Sequence, residues 1–435
     1  MVETDTEYRK SMVNFITSVC NECGPRRPAS DAERKSQDMI KKECEKFADE
    51  VKFDEFKCAF NTYPQGLVRV AVILFTIAFC LVITIVYPIM IILGVLGLWV
   101  VVAQLLIMLE FTDPFYKKDV SRNVFGVIKP EKEMKLRIIF GGHSDSAYEI
   151  PFAKKYGIKI TMLMMIAIAF GVLGIVLQAV KLVIELTGNG GTIVVFDAGF
   201  FHITIYDVVF LLACTVGYPY MLWIMKNAAS RKTIVLGAND NLSGVAVSLA
   251  LGQYLKNHRP KNLEVWVGAF GCEEAGQRGS KRFVAKYGPS GVLDNTYTVV
   301  VESVGAGMGF GILSAEKMYL TWPQLKPVYH SQELANKFFN SCENYRKVKK
   351  AVPYYMLHEA TFAGTDATRF SQKGYKAIAL GAGGANLFIE NWHNKEDKPE
   401  NLNKLMLWHA LNFCATFVDD MDKETEEKIA EKKNE

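Results

Sequence analysis

Two adjacent acids, Glu273 and Glu274, close the segment Phe270-Gly271-Cys272-Glu273-Glu274-Ala275-Gly276, directly after an apolar, strand-like run over residues 265–270. Adjacent carboxylates at a strand end suit a division of chemical roles, in which one binds a metal ion while its neighbour faces the substrate as a general base. A Glu-Glu pair alone is usually a solvated loop, because acids are seldom buried. Other polar residues in similar contexts weigh against that reading. His143 and Asp145 stand two apart after a strand-like run, so both can face one side, and the acid can fix one imidazole tautomer. Asp240 precedes a glycine-bearing turn into a helix, Glu302 interrupts the apolar run 299–304, and His393 follows Asn391-Trp392 in a polar loop. Each has a plain structural explanation: a helix cap for Asp240, an ion pair for Glu302, satisfied or surface histidines for the other two. Taken together, two histidines and several carboxylates at strand ends suit a pair of borderline ions such as zinc.

The elements that must position these residues alternate between strand and helix. Ser30-Asp31-Ala32-Glu33 is a capping box opening a helix down to about Ala48. Residues 51–56 alternate apolar and charged side chains as a half-buried strand does, and 123–128, 136–140, 264–270, 296–304 and 377–381 read as further strands. Residues 241–257 form a helix with small residues at its start. Strands alternating with helices predict an α/β domain with a largely parallel sheet. Residues 419–435 are mostly charged and form a solvated helical end or a frayed tail.

This domain is interrupted. No residue from 70 to 109 carries a charge, and 160–180 and 208–225 are also uncharged. The first run alone is long enough for two spans of about 20 residues each, which predicts four transmembrane helices in two hairpins. Lys57, Arg69, Lys117, Lys118, Arg122, Lys154, Lys155, Lys159, Lys226, Arg231 and Lys232 flank the spans on the side of the soluble segments, against Lys181 alone on the other. The positive-inside rule then puts the catalytic domain in the cytoplasm. The net charge of +4 carries no basic stripe with interleaved aromatics, which gives no case for nucleic acid. Nine irregularly spaced cysteines suggest free thiols, and the single CxxC, Cys20 with Cys23, lacks the second ligand pair of a zinc ribbon. The acid-bearing amino terminus does not read as a signal peptide.

The segments GGHSDS at 141–146, GANDNLSGVA at 237–246, FGCEEAGQRGS at 270–280, VESVG at 301–305, GTDATRFSQKGYKA at 364–377 and WHNKEDKPENL at 392–402 resemble, in order, the motifs of the two-zinc aminopeptidase family, which includes glutamate carboxypeptidase and the transferrin receptor. The resemblance implies an α/β, three-layer zinc-exopeptidase fold with a mixed central sheet, interrupted by the two membrane hairpins. It divides the chain into peptidase segments 1–64, 112–156 and 227–418, hairpins 65–111 and 157–226, and the tail 419–435. It also implies roles: His143 and Glu302 on one zinc, Glu274 and His393 on the other, Asp240 bridging them, Asp145 orienting His143, Glu273 as general base and Asp366 at the substrate end. The expected reaction is hydrolysis of a peptide bond by metal-activated water, most readily as an aminopeptidase, without a covalent enzyme intermediate. Four positions depart from the pattern: Glu302 replaces a frequent Asp, Asn239 another Asp, Ala367 a His and Trp392 a Tyr. Alternatives are a catalytically silent receptor or scaffold and a one-zinc glutaminyl cyclase on the same fold. The expected partners are a peptide substrate and the lipid bilayer, with homo-oligomerisation one role open to the membrane helices.

Overall fold

The computed structural model describes residues 6–63, 87–157, 159–187, 194–197, 202–228, 233–349, 351–361, 364–384 and 388–434, with isolated residues between 66 and 77. The chain forms two compact units, one built from residues 1–60, 113–149 and 232–435, the other from 61–112 and 150–231.

The first unit opens with α1 (Thr6–Cys23) and α2 (Asp31–Cys44). Ser30 caps α2 by accepting the Glu33 N–H at 3.2 Å, as the capping pattern dictates. The Glu33 carboxylate turns inward, taking the Ala29 N–H at 2.6 Å and the Cys272 N–H at 2.8 Å. The regular helix ends before the expected Ala48, in a tightened turn where the Lys46 and Phe47 N–H groups take the Glu43 and Cys44 carbonyls three residues back. There follow β1 (Glu50–Cys58), β2 (Asp119–Ile128), β3 (Leu136–His143), α3 (Leu242–Asn257), β4 (Leu263–Phe270), α4 (Arg278–Tyr287), β5 (Thr296–Glu302), β6 (Gly309–Leu320), β7 (Pro327–Tyr329), α5 (Gln332–Val348), β8 (Tyr354–Ala360), α6 (Ala367–Ser371), β9 (Lys376–Gly383) and α7 (Lys404–Asn434). The charged tail is the end of α7.

Nine strands form one sheet in the order β1-β2-β4-β3-β5-β9-β6-β8, with β7 beside β6. The sheet is mixed, as the family resemblance implies and unlike the largely parallel arrangement expected from strand–helix alternation alone. Its centre, β4-β3-β5-β9, is parallel, whereas β1, β2 and β6 bring antiparallel pairings. Connection length explains the reversals at β2–β3 and β5–β6, while β1 and β2 are joined by the long stretch 59–118. A parallel return needs a crossover of a dozen or more residues, and the links β2–β3 and β5–β6 are too short for one.

Side chains alternate across the sheet with period two. Val265, Val267 and Ala269 of β4 join a core with α1, α2, α3, α5 and α7. Trp266 and Phe270 face the other side, against Phe283 of α4 and Phe370 of α6. The result is a helix–sheet–helix sandwich. Helix α3 lies unusually close to the strands beneath it: a Cβ on Gly244 would sit 2.0 Å from the Val301 carbonyl oxygen, and one on Gly142 would sit 2.8 Å from the Val245 nitrogen. Glycine at both positions lets the start of α3 rest on the ends of β3 and β5.

Among the described residues, the regular structure of the second unit is helical apart from a short strand pair, Val194–Asp197 with His202–Thr204. Met165–Ile184 and Ile205–Ile224, of 20 residues each and with mean hydropathies of 2.3 and 1.5, are long and apolar enough to cross a membrane. Their apolar side chains are largely exposed, as in Leu173, Val176, Leu212 and Val216. Four such helices were expected. Ile91–Leu106 is apolar but shorter, and most of the limb expected before Tyr87 lies outside the described residues. Lys181 and Asp207, both buried, pair at 2.8 Å, with the Thr204 N–H and hydroxyl also donating to Asp207.

Candidate metal centre

The parallel strands deliver the chemistry at one edge. His143 ends β3, Glu302 ends β5, Glu273 and Glu274 follow β4, Asp240 precedes α3, and His393 comes from the loop between β9 and α7. In open α/β sheets, carboxyl strand ends form the usual ligand crevice.

The side chains converge on Asp240. His143 Nε2 lies 3.1 Å from Asp240 Oδ1 and 3.5 Å from Glu302 Oε1. His393 Nε2 lies 3.5 Å from Asp240 Oδ2 and 3.2 Å from Glu274 Oε1. Two triads that could hold a metal ion therefore share Asp240, His143–Asp240–Glu302 and Asp240–Glu274–His393, and a third, His143–Glu273–Glu274, meets the same 4.8 Å limit between ligand atoms. His143, Asp240 and Glu302 are buried, while Glu273, Glu274 and His393 are partly exposed. Asn241 donates to Glu302 Oε2 at 3.0 Å and to the Val301 carbonyl at 2.9 Å, which fixes the longer Glu side chain in the place where Asp was expected.

Asp145 does more than orient an imidazole. Its Oδ1 faces His143 Nδ1 at 3.4 Å, and its two oxygens accept the backbone N–H groups of Glu273 and Glu274 at 3.0 Å each. One buried carboxylate thus holds the backbone of the acidic pair by hydrogen bonds and faces the His143 imidazole at close range. Several nonglycine residues beside the site hold positive φ: Cys272 at 52°, Ser303 at 51°, Asn391 at 59° and His393 at 48°. Such strain gathers at functional sites, where the surrounding structure holds it in place. Trp392 stacks on His393, with ring centroids 4.1 Å apart. Asp366 sits behind the site, fully buried and bonded to the Ser280 hydroxyl. It presents no surface to a substrate, so any influence on the pocket passes through neighbouring groups.

The electrostatics describe a crowd of acids. Burial raises the Glu273 pKa well above the ordinary carboxylate range, with Glu274, Asp366 and Glu302 adding to it against His143. Burial likewise raises Glu274, and pushes Glu302 up to about 7 despite the neighbouring His143. Burial opposes a charge on His143, but Glu302, Asp145 and Asp240 outweigh it and raise its pKa well above the usual value. Among the described residues, the ion pairs of Asp240, Glu274 and Glu302 are with imidazoles alone. A converging set of two imidazoles and three carboxylates, short of positive charge, fits divalent cations with oxygen and nitrogen preference.

Sequence reasoning missed the supports. Asp397 is buried in a run, Lys395-Glu396-Asp397-Lys398, that looks like a solvated charge cluster, and buried Arg26 sits beside the similar Arg27. Neither has a periodicity that signals burial.

The parallel-centred α/β sandwich carries this set of imidazoles and carboxylates at its strand ends. Residues 225–418, the segment that holds Asp240, Glu273, Glu274, Glu302 and His393, match the model of peptidase family M28. No curated protein matches the chain at a significant level. Similar solved structures include a zinc aminopeptidase from Bacillus subtilis (14% identity, TM-score 0.52, 95% of each chain covered). An aminopeptidase from Aneurinibacillus sp. strain AM-1 aligns at 13% identity and TM-score 0.52, over 94% of this chain and 93% of that one. A glutaminyl cyclase from an Acidobacteriales bacterium aligns at 12% identity and TM-score 0.52, over 96% and 95%. At these identities the likeness is one of fold.

Proposed function

We propose that this chain is a membrane-anchored, two-zinc M28-type peptidase that releases residues from peptide ends, as an aminopeptidase in the first instance. The observation that carries the reading is the pair of triads sharing Asp240; Glu273, which also lies within reach of His143 and Glu274, is read as the base and not as a ligand. His143, Asp240 and Glu302 would hold one zinc, and Asp240, Glu274 and His393 the other. Bound zinc ions lower the pKa of water and polarise a carbonyl.

The chain's own residues do the rest. Glu273 is partly exposed, and its carboxylate accepts no hydrogen bond among the described residues, which leaves it free to take a proton from the attacking water. As the carbon–nitrogen bond breaks, Glu273 returns that proton to the leaving amine. Asp145 holds the Glu273 backbone during both transfers, so the base keeps its place.

Glutaminyl cyclase structures of the same fold support a second reading. Peptides with amino-terminal glutamine separate the two, since cyclisation releases ammonia and leaves the chain uncut. The peptidase reading is tested by metal content and peptide cleavage on one detergent-purified sample. Two zinc ions per chain with cleavage support it; absence of both metal and turnover favours a silent scaffold.

A further inference from the structure

The loop that carries Asp240 is gripped from both sides by buried charges remote in sequence. On one side, the Arg26 guanidinium donates from Nη1 to the Leu236 carbonyl at 2.7 Å, from Nη2 to the Gly237 carbonyl at 3.1 Å, and from Nε to the Ser144 carbonyl at 2.8 Å. On the other side, the Asp397 carboxylate accepts the Asn239 N–H at 2.6 Å and the Asp240 N–H at 3.1 Å. Arg26 is 0% exposed and Asp397 1%.

We propose that Arg26 and Asp397 form a charged clamp that presets the Asp240 loop, and hence both metal positions, before any ion binds. This rests on Asp240 being the shared ligand.

The chemistry favours this over simple filling of space. A buried ion is costly unless its hydrogen bonds are met, and here each ion spends them on backbone groups of ligand-bearing loops. Arg26 reaches the loop after His143 and the loop before Asp240 together, which a planar fork can do and a point charge cannot. Asp397 lies four residues after His393 and so ties the second histidine's loop to Asp240. Arg26 lies outside the segment 225–418 that matches the family model, so the amino-terminal part of the chain would help set metal affinity.

The test is zinc affinity, read by competition with a chromogenic chelator on the detergent-purified full chain, with thermal melting of the metal-free protein alongside. D397N and R26K should each weaken zinc binding about 10- to 100-fold, the usual cost of removing an outer support of a metal ligand. D397E, which keeps the charge, should recover part of that loss. Weakening in step with a lower melting temperature, with no recovery in D397E, would mean a structural role only and overturn the clamp. So would unchanged affinity in both variants while the wild type binds zinc. A wild type that binds no zinc would sink the peptidase reading and the clamp with it. Hydrogen exchange on the metal-free wild type needs no variant: the Asn239 and Asp240 amides should already be protected, and fast exchange there would overturn the preset loop.

Discussion

Glu273 and Glu274 are chain neighbours with different surroundings, and the difference assigns their proposed roles. Glu274 faces His393 at 3.2 Å, whereas the Glu273 carboxylate accepts no hydrogen bond among the described residues. Glu273→Gln should therefore keep its metals yet lose about 100- to 10,000-fold in turnover, the range for a general base. Activity near wild type in a variant with full metal content would exclude the assignment. Metal occupancy tests the ligands separately. Asp240 belongs to both triads, so Asp240→Asn should deplete both positions, while Glu302→Gln should mainly empty the one it shares with His143. Equal loss of both ions from Glu302→Gln, measured by elemental analysis, would contradict the pairing. The convergent residues were legible as polar groups out of place at strand ends. Their supports were not, because Asp397 and Arg26 stand among other charges in the sequence, and only the folded chain shows which of them are buried.

Helix α3 illustrates how an element carries the site. Its first turn rests on β3 and β5 because Gly244 leaves no side chain between it and the Val301 carbonyl. Gly244→Ala would force backbone against backbone, so a loss of roughly 3 kcal/mol or more is expected, at the upper end for overpacking. The denaturation midpoint measures it, and an unchanged midpoint would mean that α3 can lift at no cost. Helix α7 supplies a pH prediction. Burial, helped by Lys349 and Arg9, lowers the His409 pKa from 6.5 to about 4. The unfolded chain therefore binds this proton more tightly, and the stability of neutral His409 is complete above pH 6.5 and lost as pH falls towards 4. The amount is on the order of 1–2 kcal/mol after allowing for partial solvent screening. His409→Gln should melt with a shallower decline over that window, and parallel slopes would refute it. Elements with a clean period or a cap, such as α2, β4 and β5, were readable in advance. The strand pair β6 and β8 was not: β6 mixes Gly309, Gly311, Glu316 and Lys317 into its apolar run, and β8 is a largely exposed edge strand, so neither shows the alternation of a half-buried strand.

At the scale of the whole molecule, the peptidase-like unit is built from three separated stretches of chain, and the intervening residues form the second unit. Such a division requires each excursion to return to the side it left. The two apolar helices Met165–Ile184 and Ile205–Ile224 satisfy this as a hairpin, with Val194–Asp197 lying between them. We propose that they cross the bilayer and that the peptidase-like unit lies in the cytoplasm, because Lys and Arg cluster on its side of the apolar runs and Lys181 stands alone opposite. Asn241 adds an argument. Asn241-Leu242-Ser243 is a glycosylation pattern, yet Asn241 is fully buried and caps α3 by accepting the Gly244 N–H at 3.0 Å. A glycan there would prevent folding in a glycosylating compartment. The prediction uses two cysteine probes compared with the parent chain in sealed cells: Ala285→Cys, exposed on α4, and Val195→Cys, 56% exposed between the two helices. A membrane-impermeant thiol reagent should label the Val195 variant and spare the Ala285 variant until the membrane is opened. Labelling of both without permeabilisation would mean that this pair does not cross, and the reverse pattern would place the peptidase-like unit outside the cytoplasm.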